Sequence, residues 1–525
     1  MSGMFDTKAD KAGRKLEKTQ KENKERRKSR VFAITVITVL VLVSAVAIVI
    51  NSSFIRRTLP VYTIDGVNFS TTEFEFFYHT ELMEYNNMMS QFQGLGIDMP
   101  DPGRLLSRQV RNEETGETWA DSITEMALYR MTGLVSLYNA ARAAGFELSE
   151  EQNEEINTEV SMVALQAMMS GFPTADSLLQ QMFGNSINEN TYRSILEFTA
   201  IASAYNEFVR ESFSYSAQDL AGYYAENKED LDVFAYRLIY INPDELNIED
   251  FETDEAYAEA MDTAIADAHE RAANIITGGI SSAEDFIATA REEYGRDDDW
   301  IADIQLRMGE NLDETFRDWL MDESRIEGDI ASFDNDTGST IIYFDSRNDN
   351  SYLTTGMRQI LITREFVDPE EFPLWEEDPG YIEALDRAEA EAQERAETVY
   401  NLFNQAGRTE DALIELMAEH SDDNTEGGEY TDISKFSYQS AHFQAMKVVP
   451  EIEEWLFDES RAVGDSELIY TRDFGYHLVY FTGSGAPFFE LIADDRMRTR
   501  DHDEWIDGLP EGEPVRHAAF ILVHI

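Results

Sequence analysis

Two stretches of this chain repeat each other, and the duplication constrains the fold more than any other feature. WLMDESRIEGD begins at Trp319 and WLFDESRAVGD at Trp455, with eight of eleven positions identical. Each stretch is followed by a strand-like pattern, GSTIIYF from Gly338 and GYHLVYF from Gly475. Because a repeat period of more than 100 residues is too long for a solenoid, we interpret the middle of the chain as two tandem copies of one domain.

Residues 31–50, VFAITVITVLVLVSAVAIVI, are uncharged and mostly apolar. About 20 such residues are enough for a helix to cross ~30 Å of hydrocarbon, so we expect a single N-terminal transmembrane helix. Basic residues from Lys8 to Arg30 precede it, which predicts a cytoplasmic tail and an extracytoplasmic bulk in a single-pass protein of the cell membrane. A cleaved signal peptide is the alternative, but no clear small-x-small cleavage site follows.

The chain carries a formal net charge of -61 and contains no cysteine. Phosphate binding needs a basic face, so nucleic acid is not an expected partner. Divalent cations at the acidic surface are an expected partner, and a saline habitat is another explanation of the acidity. Thiol catalysis and Cys-ligated zinc are excluded, and no hydrolase or nucleotide motif occurs. The sequence predicts no cofactor and no metal site.

The region after the apolar segment is expected to be helical with a small strand element. Asp65-Gly66 is a preferred hairpin turn pair, and Ser70 with Glu73 forms a capping box that opens a helix. This region is rich in methionine. Flexible thioether side chains suit a surface that accepts many apolar sequences, although methionines at helical spacing are more often ordinary core.

Several motifs together resemble the extracytoplasmic foldases of the PrsA, SurA and PpiD type. They are the ELSEEQNEEI helix, LAGYYAENKEDL running into a strand, and the two repeats, of which the second is the clearer match. There MRQILI resembles the opening strand of a parvulin-type peptidyl-prolyl isomerase, GGEYTDISKF its glycine-pair segment, VVPEIEEWLF its helix and FGYHLVYF its closing strand.

The resemblance implies an α+β fold class with a single N-terminal transmembrane helix, a helical SurA-N-like chaperone domain and two tandem parvulin-like α/β domains. The C-terminal strand is expected to return to the hairpin of the chaperone domain, and docking on the second copy is the alternative. The expected segments are residues 1–30 (basic tail), 31–50 (transmembrane helix), 58–232 (chaperone domain), 233–350 (degenerate parvulin-like domain), 355–485 (second parvulin-like domain) and 486–525 (C-terminal helix and strand).

The resemblance also implies the site residues. His477 matches the closing histidine of the family, Asp423 its Cys/Asp position, and Gln359 stands where the family has the opening histidine. In the first copy Leu238 and Thr340 occupy the two histidine positions, which leaves no polar core. The implied substrate-binding residues are Val448, Ile452, Phe457, Thr471 and Phe474.

A glutamine cannot share a proton as an imidazole does, so weak or absent isomerase activity is expected. His477 retained only for packing is the structural alternative. The expected function is a membrane-anchored chaperone or foldase for unfolded or newly exported polypeptides. A fully active peptidyl-prolyl isomerase and an acidic cation-binding surface protein are the alternatives.

Overall fold

The structure, a computed structural model, describes residues 28, 30–44, 52–90, 100–101, 103–296, 298, 301–374, 378–423, 425–435 and 448–523. The chain forms two compact units, Met1–Phe213 with Arg500–Ile525, and Ser214–Thr499.

Strands and helices are numbered in chain order. The strands are β1 (Pro60–Ile64), β2 (Val67–Ser70), β3 (Val110–Asn112), β4 (Glu117–Thr118), β5 (Val233–Ile241), β6 (Gln305–Met308), β7 (Ile330–Asn335), β8 (Gly338–Asn348), β9 (Leu353–Ile362), β10 (Glu429–Ile433), β11 (Ser466–Thr471), β12 (Gly475–Pro487) and β13 (Val515–Arg516). The helices are α1 (Ser53–Thr58), α2 (Thr71–Ser90), α3 (Trp119–Ala144), α4 (Glu150–Met169), α5 (Ala175–Phe183), α6 (Glu189–Ser212), α7 (Ala217–Glu226), α8 (Lys228–Leu231), α9 (Asp254–Thr277), α10 (Ala283–Tyr294), α11 (Arg317–Met321), α12 (Pro379–Gln405), α13 (Glu410–His420), α14 (Pro450–Leu456) and α15 (Phe488–Asp507).

The prediction of a transmembrane helix at residues 31–50 is wrong. Within the part of the chain that the structure describes, no helix is both long enough and apolar enough to cross a membrane. Of the expected span, residues 31–44 are described and are helical. Residues 45–50 of the expected span lie outside the described residues. The fold class is corrected accordingly to a mixed helix and sheet protein.

In the first unit the two ends of the chain share one small sheet. Strands β1 and β2 form a hairpin whose turn places Asp65 at φ 40° and Gly66 at φ 80°, the left-handed geometry that this residue pair favours. Strand β13 pairs with β1, with Arg516 opposite Tyr62. The Phe520 ring then packs edge-on against Tyr62, with ring centroids 5.5 Å apart. The C-terminal segment thus covers the outer edge of the hairpin and leaves it paired.

Helices α2 to α6 enclose the core of the first unit. Phe74, Ile123 and Met131 are fully buried there, so this methionine is ordinary core. By contrast, Met168 and Met169 at the end of α4 are 70% and 79% exposed. Some methionines of this region are therefore core residues and others are exposed, and a role of the exposed ones in accepting apolar sequences stays a prediction.

The second unit contains two four-stranded antiparallel sheets of matching order, β6-β5-β8-β7 and β10-β9-β12-β11. Their central pairs have the same register, because Leu238 lies opposite Ile342 in one sheet and Gln359 opposite Val479 in the other. Each repeat also packs its arginine over its tryptophan, at 4.8 Å in the first copy and 4.0 Å in the second. The repeated sequence is thus a repeated structure.

The two faces of the β10-β9-β12-β11 sheet have different neighbours. One face bears Ile360 and Leu478, which pack against α12 and α13. Because side chains alternate along a strand, Met357 and Val479 point to the opposite face, where they meet Ile452 of α14. The candidate site lies on this second face.

Candidate functional site

Gln359 and His477 lie on neighbouring strands and face the same side of the sheet. Gln359 is two residues beyond Met357 on β9, and His477 two residues before Val479 on β12, so the alternation of each strand aims both side chains at the α14 face. They are 6% and 4% exposed. His477 Nδ1 lies 2.9 Å from Gln359 Oε1.

Asp423 reaches this pair from the loop that follows α13. The loop is held against β9 because the Asp422 amide donates to the Leu361 carbonyl at 2.7 Å. Gln359 Nε2 donates to Asp423 Oδ2 at 2.8 Å, and the Thr425 amide donates to Asp423 Oδ1 at 2.9 Å. The carboxylate therefore lies behind the glutamine and makes no direct contact with the imidazole among these bonds.

The partners determine the direction of each hydrogen bond. A carboxylate only accepts, so the amide group of Gln359 faces Asp423 and its carbonyl oxygen faces His477. His477 must then carry its hydrogen on Nδ1, which donates to Gln359 Oε1. The remaining ring nitrogen, Nε2, accepts from Thr471 Oγ1 at 2.9 Å. Thr471, expected to bind substrate, is only 2% exposed and orients the imidazole.

Burial controls the charge of the two titratable groups. Burial lowers the pKa of His477 to about 4, against a smaller opposing effect of Asp423, so the imidazole is neutral at pH 7. Burial acts to raise the pKa of Asp423, but hydrogen bonds from Tyr430, the Thr425 backbone and Gln359 outweigh it and lower that pKa. The site thus combines a neutral imidazole with an ionised carboxylate.

Tyr430 is a member of this cluster that the sequence analysis missed. Its hydroxyl donates to Asp423 Oδ2 at 2.7 Å and accepts from Gln359 Nε2 at 3.0 Å. Burial raises the pKa of Tyr430, so the phenol remains a donor. The signal was the glycine pair just before it, because a Cβ on Gly428 would lie 2.6 Å from the Gln359 carbonyl oxygen. Only glycine lets this segment approach β9 so closely.

The expected apolar residues have two different environments. Val448 and Ile452 are buried, and Phe457 packs partly buried against the same apolar cluster. The ring of Phe457 lies edge-on to Tyr352 at 5.8 Å. Phe474 is instead 45% exposed, with its ring 6.4 Å from the His477 ring. Phe474 is thus an accessible aromatic residue directly at the polar cluster. Residues 436–447, which precede Val448, lie outside the described part of the chain.

Among the described residues, the first copy has no such cluster at the positions that match Gln359 and His477. Leu238 packs partly buried among apolar residues that include Phe234 and Phe316, and Thr340 pairs across the sheet with Phe333. Leu238 thus has apolar neighbours where Gln359 has polar ones. Across the described residues, no group of three or more His, Cys, Asp or Glu side chains could hold a metal ion.

No family model and no curated protein matches the chain. A search of solved structures finds a crystal structure of PrsA from Bacillus subtilis, which is 11% identical over 60% of this chain and 93% of that chain, with a TM-score of 0.16. This is a distant likeness, and we base the function on the geometry of the site.

Proposed function

We propose that the chain is a foldase-like chaperone whose second copy binds extended polypeptide and has weak or absent peptidyl-prolyl isomerase activity. Unfolded or newly exported polypeptides are the proposed clients, and a location outside the cytoplasm stays a prediction. The observation that carries the proposal is the buried chain of hydrogen bonds through Gln359, Asp423 and His477 beside the accessible ring of Phe474. It offers a fixed polar floor next to an aromatic surface.

Isomerisation makes modest demands on such a site. Rotation about an X-Pro amide faces a barrier of ~18–20 kcal/mol, and a catalyst needs only to bind the twisted amide more tightly than the planar one. A rigid polar cluster beside an apolar surface supports that function. Both ring nitrogens of His477 already have hydrogen-bond partners, however: Thr471 Oγ1 at Nε2 and Gln359 Oε1 at Nδ1. Neither nitrogen is therefore free to bond to a substrate.

Gln359 also limits how the cluster responds to a substrate. Its amide holds His477 in one tautomer and separates it from Asp423. A second imidazole could move its hydrogen between two nitrogens as charge develops, whereas an amide cannot. The geometry therefore supports binding more strongly than catalysis.

The test compares the wild type with Gln359→His, measuring a proline-limited refolding reaction beside suppression of client aggregation. We expect Gln359→His to accelerate isomerisation about tenfold, which requires ~1.4 kcal/mol of added transition-state preference. His477→Ala in that background should remove the gain in isomerisation. Leu238→His, the matched change in the first copy, should give no gain, because the described neighbours of Leu238 are apolar.

Each outcome has a distinct meaning. A wild type that isomerises as fast as Gln359→His would refute the proposal that the site is impaired. It would favour a fully active isomerase, and the contact between His477 and Thr471 is the observation that supports this alternative. If both proteins suppress client aggregation and neither accelerates isomerisation, the second copy is a binding module without isomerase activity. Neither holding nor acceleration would refute the foldase proposal itself.

A further inference from the structure

A groove in the first unit lies between α4 on one side and α5 and α6 on the other. Its volume is about 750 Å³, within the range of ~300–1,000 Å³ that holds small ligands and short peptide segments. It shares no residue with the cluster around His477. The proposed function leaves this groove without a role.

The base of the groove is apolar. Val163, Leu179 and Phe183 line it and are nearly fully buried in the core of the unit, so the floor is fixed by packing. Met162 stands at the wall and is 55% exposed. A flexible thioether above a rigid apolar floor adapts to different aliphatic or aromatic side chains.

The rim of the groove on α4 is acidic. Glu151, Glu155 and Glu159 follow one another at four-residue spacing, and Glu154 lies beside them. Tyr192 donates to Glu159 Oε1 at 3.0 Å and holds that carboxylate at the wall. Among the described residues that line the groove there is no Lys or Arg. Like charges at this spacing repel each other, and a cationic ligand would relieve the repulsion.

Helix α4 separates the acidic and apolar features by a defined distance. Seven residues from Glu155 to Met162 correspond to about 10 Å along a helix axis. An extended chain advances ~3.3 Å per residue, so about three residues of a bound segment cover the same distance. Met168 and Met169, at the C-terminal end of the same helix, are also exposed.

We propose that this groove binds an extended segment of an unfolded polypeptide in which Lys or Arg lies about three residues from a large apolar residue. The inference rests on the proposed function, because it assigns a client sequence to a chaperone. The carboxylates of α4 bind the cation, and the floor with Met162 binds the apolar side chain. Charge complementarity and the apolar floor together select this occupant over an acidic or purely polar segment.

The experiment uses the full chain and labelled twelve-residue unstructured peptides, with binding followed by fluorescence anisotropy at low and high salt. The first peptide repeats Arg and Leu three positions apart, the second replaces Arg by Glu, and the third replaces Leu by Ser. We expect the first to bind most tightly and to weaken as salt screens the rim. Three exposed ion pairs contribute roughly a factor of two each, so Glu154→Gln, Glu155→Gln and Glu159→Gln together should weaken it about eightfold.

A matched variant controls for net charge. Glu255→Gln, Glu259→Gln and Glu270→Gln remove three exposed carboxylates from α9 in the other unit and should leave binding unchanged. Met162→Ser, at an exposed position, should weaken the Arg-Leu peptide and not the Arg-Ser peptide. Circular dichroism of all variants establishes that the fold is retained.

The groove and the proposed function can fail separately. The groove proposal would be overturned if the Glu-Leu peptide bound as tightly as the Arg-Leu peptide, or if the α9 variant weakened binding as much as the α4 variant. Either result would do so even if the chain still suppresses aggregation. Self-association that the α4 variant abolishes and the Arg-Leu peptide does not displace would show a second copy as occupant and also overturn it. Specific Arg-Leu binding by a chain that neither suppresses aggregation nor accelerates refolding would instead refute the chaperone.

Discussion

Acidification from pH 7 to pH 5 should destabilise the β9–β12 strands through His477. The folded pKa of this imidazole is about 4 and its unfolded pKa is about 6.5. The unfolded state therefore binds the proton more tightly, so the stability is complete above roughly pH 6.5 and falls as the pH drops toward about 4. At pH 5 nearly every unfolded chain and about one folded chain in ten would be protonated, which corresponds to a loss of about 2 kcal/mol.

The variant His477→Asn isolates this contribution. The asparagine amide can still donate toward Gln359 in place of Nδ1, and it does not titrate. Carboxylates elsewhere affect both proteins equally and cancel in the comparison. Asp423 has a lowered pKa and keeps its charge at pH 5, so its contribution is lost only at lower pH.

Native-state hydrogen exchange with mass spectrometry measures the local opening free energy of the two strands, after correction for the intrinsic pH dependence of exchange. The wild type should lose about 2 kcal/mol more than His477→Asn between pH 7 and pH 5. His420→Asn, a histidine at the end of α13, should behave as the wild type. Equal losses of opening free energy in the wild type and in His477→Asn would refute the claim that the imidazole is buried and neutral.

Three further outcomes follow from the geometry. Tyr430→Phe removes the donor to Asp423 and should cost about 1 kcal/mol of local stability by hydrogen exchange, and a loss no larger than that of an exposed tyrosine would contradict its place in the cluster. Asp423→Asn removes a charged acceptor that Gln359 and Tyr430 share and should cost about 2 kcal/mol by the same measurement, while an unchanged opening energy would count against the carboxylate. Gly475→Ala places a Cβ 2.5 Å from a backbone carbonyl oxygen at φ 110° and should cost about 3 kcal/mol in thermal unfolding. Gly66→Ala, at φ 80° with no atom within 4 Å of the added Cβ, should cost less, and an equal loss would contradict the close approach at Gly475.

Part of the site could be predicted from the sequence. The resemblance identified Gln359, Asp423 and His477 as one group, and the structure places them within one chain of hydrogen bonds. Their catalytic role stays a prediction. Tyr430 was missed because its side chain, partly buried on a strand, looks like an ordinary strand residue in the sequence, and only its hydroxyl makes it part of the cluster.

The membrane-spanning prediction was wrong. Hydropathy counts apolar residues along the sequence, whereas crossing a bilayer requires one continuous helix of sufficient length and apolarity. The described residues contain no such helix.

By itself the sequence determined features that depend on neighbouring residues. Asp65 and Gly66 form the hairpin turn because their own backbone preferences suit it. The two duplicated segments form the same turn because they contain nearly the same residues: the Ser324 amide donates to Asp322 and the Ser460 amide to Asp458, both at 2.8 Å. The tertiary structure alone decided which distant side chains meet. Gln359 lies 64 residues from Asp423, 71 from Tyr430 and 118 from His477, and such contacts depend on strand register and on how closely a loop approaches the sheet. A shift of one residue in either strand would turn these side chains to the opposite face, so their meeting is a property of the folded sheet.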